Sequence, residues 1–558
     1  MKRSAILIAL VAIVALPFLL RPKQRPPEKA DDTLIVITPH NEAIRHEFEI
    51  GFREWYHART GRSVALDWRN VGGTSDITRF LDAAFVAAFR NHWTNELHRD
   101  WSAQVEAGFA NPRLAADAPA EARAARAEFL ASKVGCGIDV FFGGGAYDFE
   151  RHAEAGRLVP MRTMHEHPEW FRDEVIPMRF EGEPFWDPGR RWAGNVLAGY
   201  GILYNRDALG RLGLAPPREW RDLCDPRYLG EIAVADPTKS GSIAVVFEYI
   251  VQQQMQRRLG ELTMGGKAGA EGAERQGETT AAAAPRPHRA PGIEAKAVRD
   301  GWVAGLRLIQ LIGANARYFT DSSQKPPIDV AQGDCAAGLC IDFYGRSQAE
   351  ATAEREAGGM RLGFVAPRGG SANSVDPIGI LRGAPHRDVA EAFVEFTLTM
   401  DGQKLLNFRP GTPGGPVRFA LRRLPVRRDF YARTDWRKWR SDPDANPYGE
   451  SDQLVYRPEW TESLYRELAF ITRVMALDTH PELARAWRAI NAAPEPARTR
   501  ALAALQDMDA VNYDRARAEI TRVLTSKNKV DEVVLARELA GWFRRNYERA
   551  EELAEAPP

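Results

Sequence analysis

The chain has 558 residues, of which 44% are hydrophobic and 27% charged. That is ordinary for a soluble globular protein and enough for two or three domains around a large buried core. Its 75 basic and 75 acidic residues cancel, which excludes the strongly basic surface that nucleic-acid binding needs.

At the N-terminus, Lys2 and Arg3 precede an apolar run from Ala5 to Leu20, followed by Arg21 and a Pro-rich basic stretch. That is the layout of a secretory signal. A run of about 16 residues sits at the short edge of what spans a bilayer as a helix. Residues 1–30 are therefore expected to be a signal peptide or an N-terminal membrane anchor through residues 4–20. On either reading the body of the protein is exported to a periplasmic or other extracytoplasmic space. Cys136, Cys224, Cys335 and Cys340 contain no CxxC pair, so a structural zinc site is not expected, and one or two disulfides remain open.

TLIVIT (Thr33 to Thr38) reads as a short buried strand, and Asn41 to His57 as a helix with Ile44, Phe48 and Phe52 on one side. SVALDW (Ser63 to Trp68) is a second strand, and GGTSD (Gly72 to Asp76) a turn able to cap the next helix. Residues 82–131, rich in Ala, Arg and Glu, read as helical. IDVFF (Ile138 to Phe142) is a strand ending in Gly143-Gly144-Gly145. GYGILYN (Gly199 to Asn205), EIAVADP (Glu231 to Pro237), AAGLCIDFY (Ala336 to Tyr344) and RLGFVAP (Arg361 to Pro367) follow as strands, with helices at Ile243–Gln256 and Arg299–Ile312. Alternating strands and helices predict an α/β fold with parallel strands. Residues 260–297 have almost no large apolar residues and read as a disordered surface insertion. Residues 425–558 read as a helical C-terminal extension outside the main fold.

Signatures of catalysis are missing: no HExxH, no GxSxG and no GxxxxGK[ST] occurs. No catalytic residue is assigned. In open α/β sheets, ligands sit where strand ends lead into helix N-termini. Thr238-Lys239-Ser240-Gly241-Ser242 is the clearest such junction. Ser240 and Ser242 offer hydroxyls, Gly241 permits close backbone approach, and the helix start supplies N–H groups and positive dipole, which favours an anion. The same residues also suit a plain N-cap. Gly144 and Gly145 form a tight turn that leaves room for a ligand. His40 is either a helix-start residue or a ligand contact. Tyr344 either packs in the sheet or points its phenol into a cleft. Arg346 either pairs with an anionic ligand or covers surface.

At these residues the sequence resembles the extracellular solute-binding proteins of ABC importers (family 1, class-II periplasmic binding proteins, ferric-binding-like branch). The blocks LIVITPHNEAIRHEFEIGFREWYHARTG, GIDVFFGGGAYDFERHAEAGRLVP, GYGILYNRDAL, PPREWRDLCDPRYLGEIAVADPTKSGS, AQGDCAAGLCIDFYGR and RLGFVAPRGGSANSVDPIGILRGAPHRDVAEAFVEFTLTMDGQKLL occur in the family's order. The resemblance covers roughly Thr33 to Leu424, apart from residues 82–131 and 260–297, and leaves the extension uncovered.

The resemblance implies two α/β lobes joined by hinge strands near GYGILYN and RLGFVAP. Lobe 1 would comprise 31–198 and 368–424, with the helical insertion at about 82–131, and lobe 2 would comprise 199–367. It implies a monomeric, non-catalytic protein that captures a small ligand between the lobes and delivers it to an ABC permease in the inner membrane. Ferric binders of this branch use two neighbouring tyrosines and an anion. Tyr344 matches the second tyrosine, Phe343 replaces the first, His40 falls where some members place a histidine, and Ser240 and Gly241 match the anion-contacting loop. Ferric ion with a synergistic anion, held by Tyr344 and His40, and a small organic anion such as a phosphonate or sugar phosphate both remain open. A membrane-tethered solute sensor or interaction protein using the same cleft is the alternative function.

Overall fold

The computed structural model describes residues 30–270, 291–355, 360–449, 453–526 and 528–556. The expected signal or anchor segment, residues 1–29, lies outside them. Fourteen strands run in chain order: β1 (Asp32–Ile37), β2 (Val64–Arg69), β3 (Val140–Phe142), β4 (Leu158–Val159), β5 (Arg179–Phe180), β6 (Glu183–Pro184), β7 (Ala193–Ala198), β8 (Tyr200–Asn205), β9 (Ile232–Ala235), β10 (Ala316–Thr320), β11 (Ala337–Ile341), β12 (Leu362–Val365), β13 (Ser374–Leu381) and β14 (Leu424–Pro425). Six helices matter for the site: α1 (Glu42–Thr60), α2 (Thr74–Asn91), α3 (Ala146–Glu154), α4 (Gly241–Ala270), α5 (Pro291–Asn315) and α6 (Asp342–Arg355).

The strands form two large sheets. The first has the order β14-β7-β13-β3-β1-β2 with β4 beside β13, and the second β10-β9-β11-β8-β12. β1 runs parallel to β2 and β3, and β9 runs parallel to β10 and β11. β13 and β8 run antiparallel to their neighbours. Strands β3, β9 and β11 are buried along their whole length, because parallel strands are covered by helices on both faces. α1 lays Ile44, Phe48, Phe52 and Tyr56 against the first sheet, the four-residue spacing of a helix with one apolar stripe. Residues 82–131 are helical as expected and close around Phe85, Phe89, Trp93, Phe109 and Phe129.

The chain passes between the sheets where β7 runs into β8 through Gly199, and again between β12 and β13. Ser371 ties these crossings together. Its Oγ accepts a hydrogen bond from Tyr200 N at 3.2 Å and donates to Tyr200 O at 2.8 Å. The carbonyl of Ser371 also accepts from Leu454 N at 3.0 Å, which brings the C-terminal extension to the same point.

Two expectations need correction. Residues 260–270 and 291–297 are helical: the first continue α4 and the second open α5, while 271–290 lie outside the described residues. Two glycines further along α5 serve helix packing. A Cβ on Gly301 would lie 2.3 Å from Met255 Cα and one on Gly305 2.7 Å from Val251 Cα, so α4 and α5 touch backbone to backbone. The extension is helical, but it does not stand apart. Trp302 Nε1 donates to Val511 O, Gln310 Nε2 to Leu505 O and Trp487 Nε1 to Asn315 Oδ1, each at 2.9 Å. These buried polar contacts dock residues 456–555 on the α4–α5 pair. The four cysteines are free thiols. Among the described residues no helix is long and apolar enough to cross a membrane.

Candidate functional site

A cavity of about 370 Å3 lies between the two sheets, within the range of small-molecule sites. Several helices begin at its wall, among them α1, α2, α3, α4 and α6. Pro39 and His40 precede α1, Gly72, Gly73 and Thr74 open α2, and Gly144, Gly145 and Ala146 open α3. Ser240, Gly241 and Ser242 open α4, and Phe343 and Tyr344 open α6. Each helix start leaves N–H groups without intrahelical acceptors and contributes positive dipole. The turn before α3 demands glycine. Gly143 and Gly144 sit at φ +86° and +132°, and added Cβ atoms would lie 2.5 Å from His40 Nε2 and 2.8 Å from Thr74 Cγ2. The lips of the cleft touch, since a Cβ on Gly73 would come 3.0 Å from the Lys239 carbonyl oxygen across it.

An ion pair forms the first pole of the cavity. Arg423 is 1% exposed and donates to Asp376 Oδ2 at 2.6 Å. The guanidinium lies 4.3 Å over the Phe343 ring, a cation–π arrangement. His40, 6% exposed, places Nε2 3.5 Å from the same Asp376 oxygen and its ring edge-on to Phe142. Burial pulls the His40 pKa below its usual value, so the ring is neutral near pH 7. Although burial opposes it, the Arg423 charge and His40 hold Asp376 below the usual carboxylate range. His40 Nδ1 has no hydrogen-bond partner among the described residues. Burial pushes the Tyr344 phenol well above its ordinary pKa, which keeps its proton on.

The second pole is acidic and phenolic. Tyr249 donates to Glu183 Oε1 at 2.7 Å, and Tyr456 and Thr461 donate to Glu248 Oε1 at 2.9 and 2.6 Å. Burial pushes Glu183 up to about 8 and Glu248 up to about 7. Burial and the facing Glu462 carboxyl push Glu150 up to about 8. Arg179 is the basic residue that lowers Glu150 and Glu183 against this trend. Glu462, Tyr456 and Tyr465 come from the extension. The Tyr465 hydroxyl donates to Gly241 O at 2.9 Å while its ring lies 4.6 Å from that of Tyr147, so the extension bridges α3 and α4. Among the described residues no three His, Cys, Asp or Glu side chains gather to hold a metal ion.

Residues 136–295 match the family model described as a bacterial extracellular solute-binding protein. Residues 136–295 are thus similar to a bacterial extracellular solute-binding domain. The matched segment holds α3, β9 and the start of α4, and so part of both walls of the cavity. Curated relatives include an uncharacterized protein of Haemophilus influenzae, 25% identical over 269 residues (48% of this chain and 60% of that protein). The phosphoglycerate transport regulatory protein PgtC of Salmonella typhimurium is 24% identical over 212 residues (38% and 39%). The aligned segments thus span less than two thirds of either relative. Among solved structures the chain is similar to the periplasmic binding protein AfuA from Actinobacillus pleuropneumoniae with exogenous fructose-6-phosphate bound. That pair is 17% identical, covers 72% of this chain and 86% of that one, and has a TM-score of 0.41. It is also similar to iron-bound HitA from Pseudomonas aeruginosa, at 15% identity, 79% and 99% coverage and a TM-score of 0.42. The matched family is one of solute binders, not of enzymes.

His40, Gly144, Gly145, Ser240, Gly241, Ser242 and Tyr344 all line this same cavity. Ser240 also caps α4, its Oγ accepting from Ile243 N at 3.4 Å. Arg346 is a correction. It does not line the cavity but pairs with Asp342 at 2.7 Å and donates to Arg422 O at 3.1 Å, because i and i+4 positions meet on one helix face. Sequence reasoning missed Arg423, Asp376 and every residue of the acidic pole.

Proposed function

We propose that this chain captures a small organic solute bearing an anionic group between its two lobes and passes it to an ABC permease outside the cytoplasm. The observation that carries this is the convergence of the α1, α2, α3, α4 and α6 N-termini and the Arg423 guanidinium on one cavity. Such an arrangement stabilises a phosphate, phosphonate or carboxylate group through N–H donors and dipoles without a metal. Ferric ion is disfavoured by the same geometry. Fe(III) selects hard anionic oxygens, whereas Phe343 offers none and a guanidinium stacks on its ring. The name of the relative PgtC, a phosphoglycerate transport regulatory protein, supports a second reading in which the same capture event is reported to a partner protein instead of a permease.

The test is a thermal-shift comparison of the metal-free protein with ferric ion and with small phosphate esters and carboxylates. A ligand at about 100 times its Kd adds roughly 2.7 kcal/mol. Stabilisation by an organic anion, lost in Arg423→Met, supports the proposal. Stabilisation by ferric ion alone would sink it.

A further inference from the structure

The lining of the cavity does not suit a solute that is only an anion. Eight carboxyl residues (Asp76, Asp148, Glu150, Glu183, Glu248, Asp321, Asp376 and Glu462) face three permanently cationic ones, Arg179, Lys239 and Arg423. Several of these acids are committed. Asp376 pairs with Arg423, Asp321 with Lys239 at 2.7 Å, and Asp76 with Arg79. Glu150, Glu183, Glu248 and Glu462 remain at the second pole, with Arg179 as their basic neighbour, itself donating to the Gly182 carbonyl at 3.1 Å. Glu183 and Glu248 are buried and receive only phenol and hydroxyl donors at one oxygen each. Four buried or half-buried carboxyls around one void are unfavourable in an empty site. A positive group placed among them reverses the sign of that interaction. The tyrosines supply the matching walls: Tyr249 stands edge-on to Tyr200 at 5.6 Å and to Tyr456 at 6.2 Å, and phenol faces attract organic ammonium. At the other pole, His40 keeps an unpaired Nδ1 in the wall of the same cavity, a second sign that a solute completes the site.

Resting on the reading of the cleft as an anion-capturing site, we propose that the solute is a zwitterion. Its anionic head sits at the helix N-termini beside Arg423, and a primary or substituted ammonium sits among Glu183, Glu248, Glu150 and Glu462 within the tyrosine wall. The C-terminal extension, through Tyr456 and Glu462, thereby selects for the amine. A consequence separates this from a polyol phosphate. Near pH 7 Glu183 and Glu248 hold their protons part of the time, and an arriving ammonium favours the ionised form, so binding expels protons. A hydroxyl in the same place accepts or donates a hydrogen bond and expels none.

Calorimetry on the full-length protein tests this with ω-aminoalkyl phosphates and carboxylates of two to six carbons, each matched to its ω-hydroxy analogue. Measurement at pH 7 in two buffers of different ionisation enthalpy counts the protons released. At the best chain length the amine is expected to bind about 30-fold more tightly than the hydroxy compound, the scale of one or two charge-assisted hydrogen bonds, with proton release seen only for the amine. The double variant Glu183→Gln/Glu248→Gln narrows that ratio to less than about threefold. If the double variant does not fold, the half-buried Glu462→Gln takes its place and must also narrow the ratio. Equal affinity of the two series, or an amine preference untouched by these variants, overturns the zwitterion while leaving anion capture intact. Failure of every anion to bind, with or without an amine, overturns anion capture and this inference together.

Discussion

At the scale of the residue, the Arg423–Asp376 pair decides both stability and charge at the first pole. Removing one partner of a buried pair leaves an uncompensated charge, at a cost of about 3–5 kcal/mol. Arg423→Met is expected to lower the unfolding free energy in urea by about that amount, and adding Asp376→Asn to restore most of it. A double variant no more stable than Arg423→Met would show that the pair is not the source of the loss. The acidic pole gives a pH signature. Glu183 and Glu150 are raised to about 8, so between about pH 7 and pH 8 the folded state binds protons that the unfolded chain has already lost. Unfolding stability of the empty protein therefore falls as pH rises through this window, by up to about 1.4 kcal/mol per pH unit for each carboxyl. Below pH 7 the buried histidines His40 and His152, lowered by burial, act in the opposite sense. Toward pH 8 the thiols of Cys136, Cys224, Cys335 and Cys340, raised by burial, add to the fall, so the carboxyls dominate nearest pH 7. Urea denaturation at pH 7.0, 7.5 and 8.0 checks this, and a rising stability would refute it. These residues were illegible in the sequence for a plain reason. Asp376 lies on β13 and Arg423, 47 positions on, just before β14, and neither sits at a strand-to-helix junction, the one pattern that marks such sites locally. His40, Gly144, Ser240 and Tyr344 do sit at such junctions and were legible.

At the scale of the element, the strand ends and helix starts carry the site, and they are where sequence reasoning worked. β-branched runs such as TLIVIT and the Gly-Gly-Gly turn fix β1, β3 and the start of α3. Strand β7 (AGNVLA) was not readable, because its strand state comes from pairing with β13 and β14 and not from propensity. The contact of the α2 start with Lys239 makes a specific prediction. Gly73→Ala places a methyl 3.0 Å from the Lys239 carbonyl oxygen, closer than the lips can meet without shifting. Its φ of −73° tolerates alanine, so the fold itself is not strained. Ligand affinity is expected to fall about tenfold, as for a strained contact of roughly 1–2 kcal/mol, with the melting temperature of the empty protein unchanged. Titration calorimetry and a melt on the same sample check both halves, and undiminished affinity would show that the lips do not meet in the bound state.

At the scale of the whole molecule, the α/β class was foreseeable from the order of strands and helices and the two lobes only from the family resemblance, while the place of the extension was not. A helical, charged composition reads the same whether the helices float free or dock. The docking is specified by single polar atoms of buried aromatics, Trp302 and Trp487, each bonded across the interface. Ending the chain at residue 449 strips that cover from α4 and α5 and removes Tyr456, Glu462 and Tyr465 from the cavity. The shortened protein is expected to be insoluble or to melt far below the full chain, as judged by circular dichroism of the soluble fraction. A folded fragment with an unchanged melt would show that the extension is an independent unit.

The knot at Ser371 has a kinetic consequence. Tyr200 and Leu454 each hydrogen-bond to Ser371, so the two crossings and the extension share a fulcrum. Groups near a fulcrum sweep short arcs, and groups at the rim sweep long ones. Under the capture proposed above, Tyr200 and Tyr456 beside the fulcrum would shift least when the lobes part, and Gly73 and Lys239 at the rim would separate most. A solute entering the open jaw therefore meets the phenolic, acidic end as a finished berth. It gains its remaining contacts only as the rim swings shut, so arrival and commitment are two separate events with their own rates.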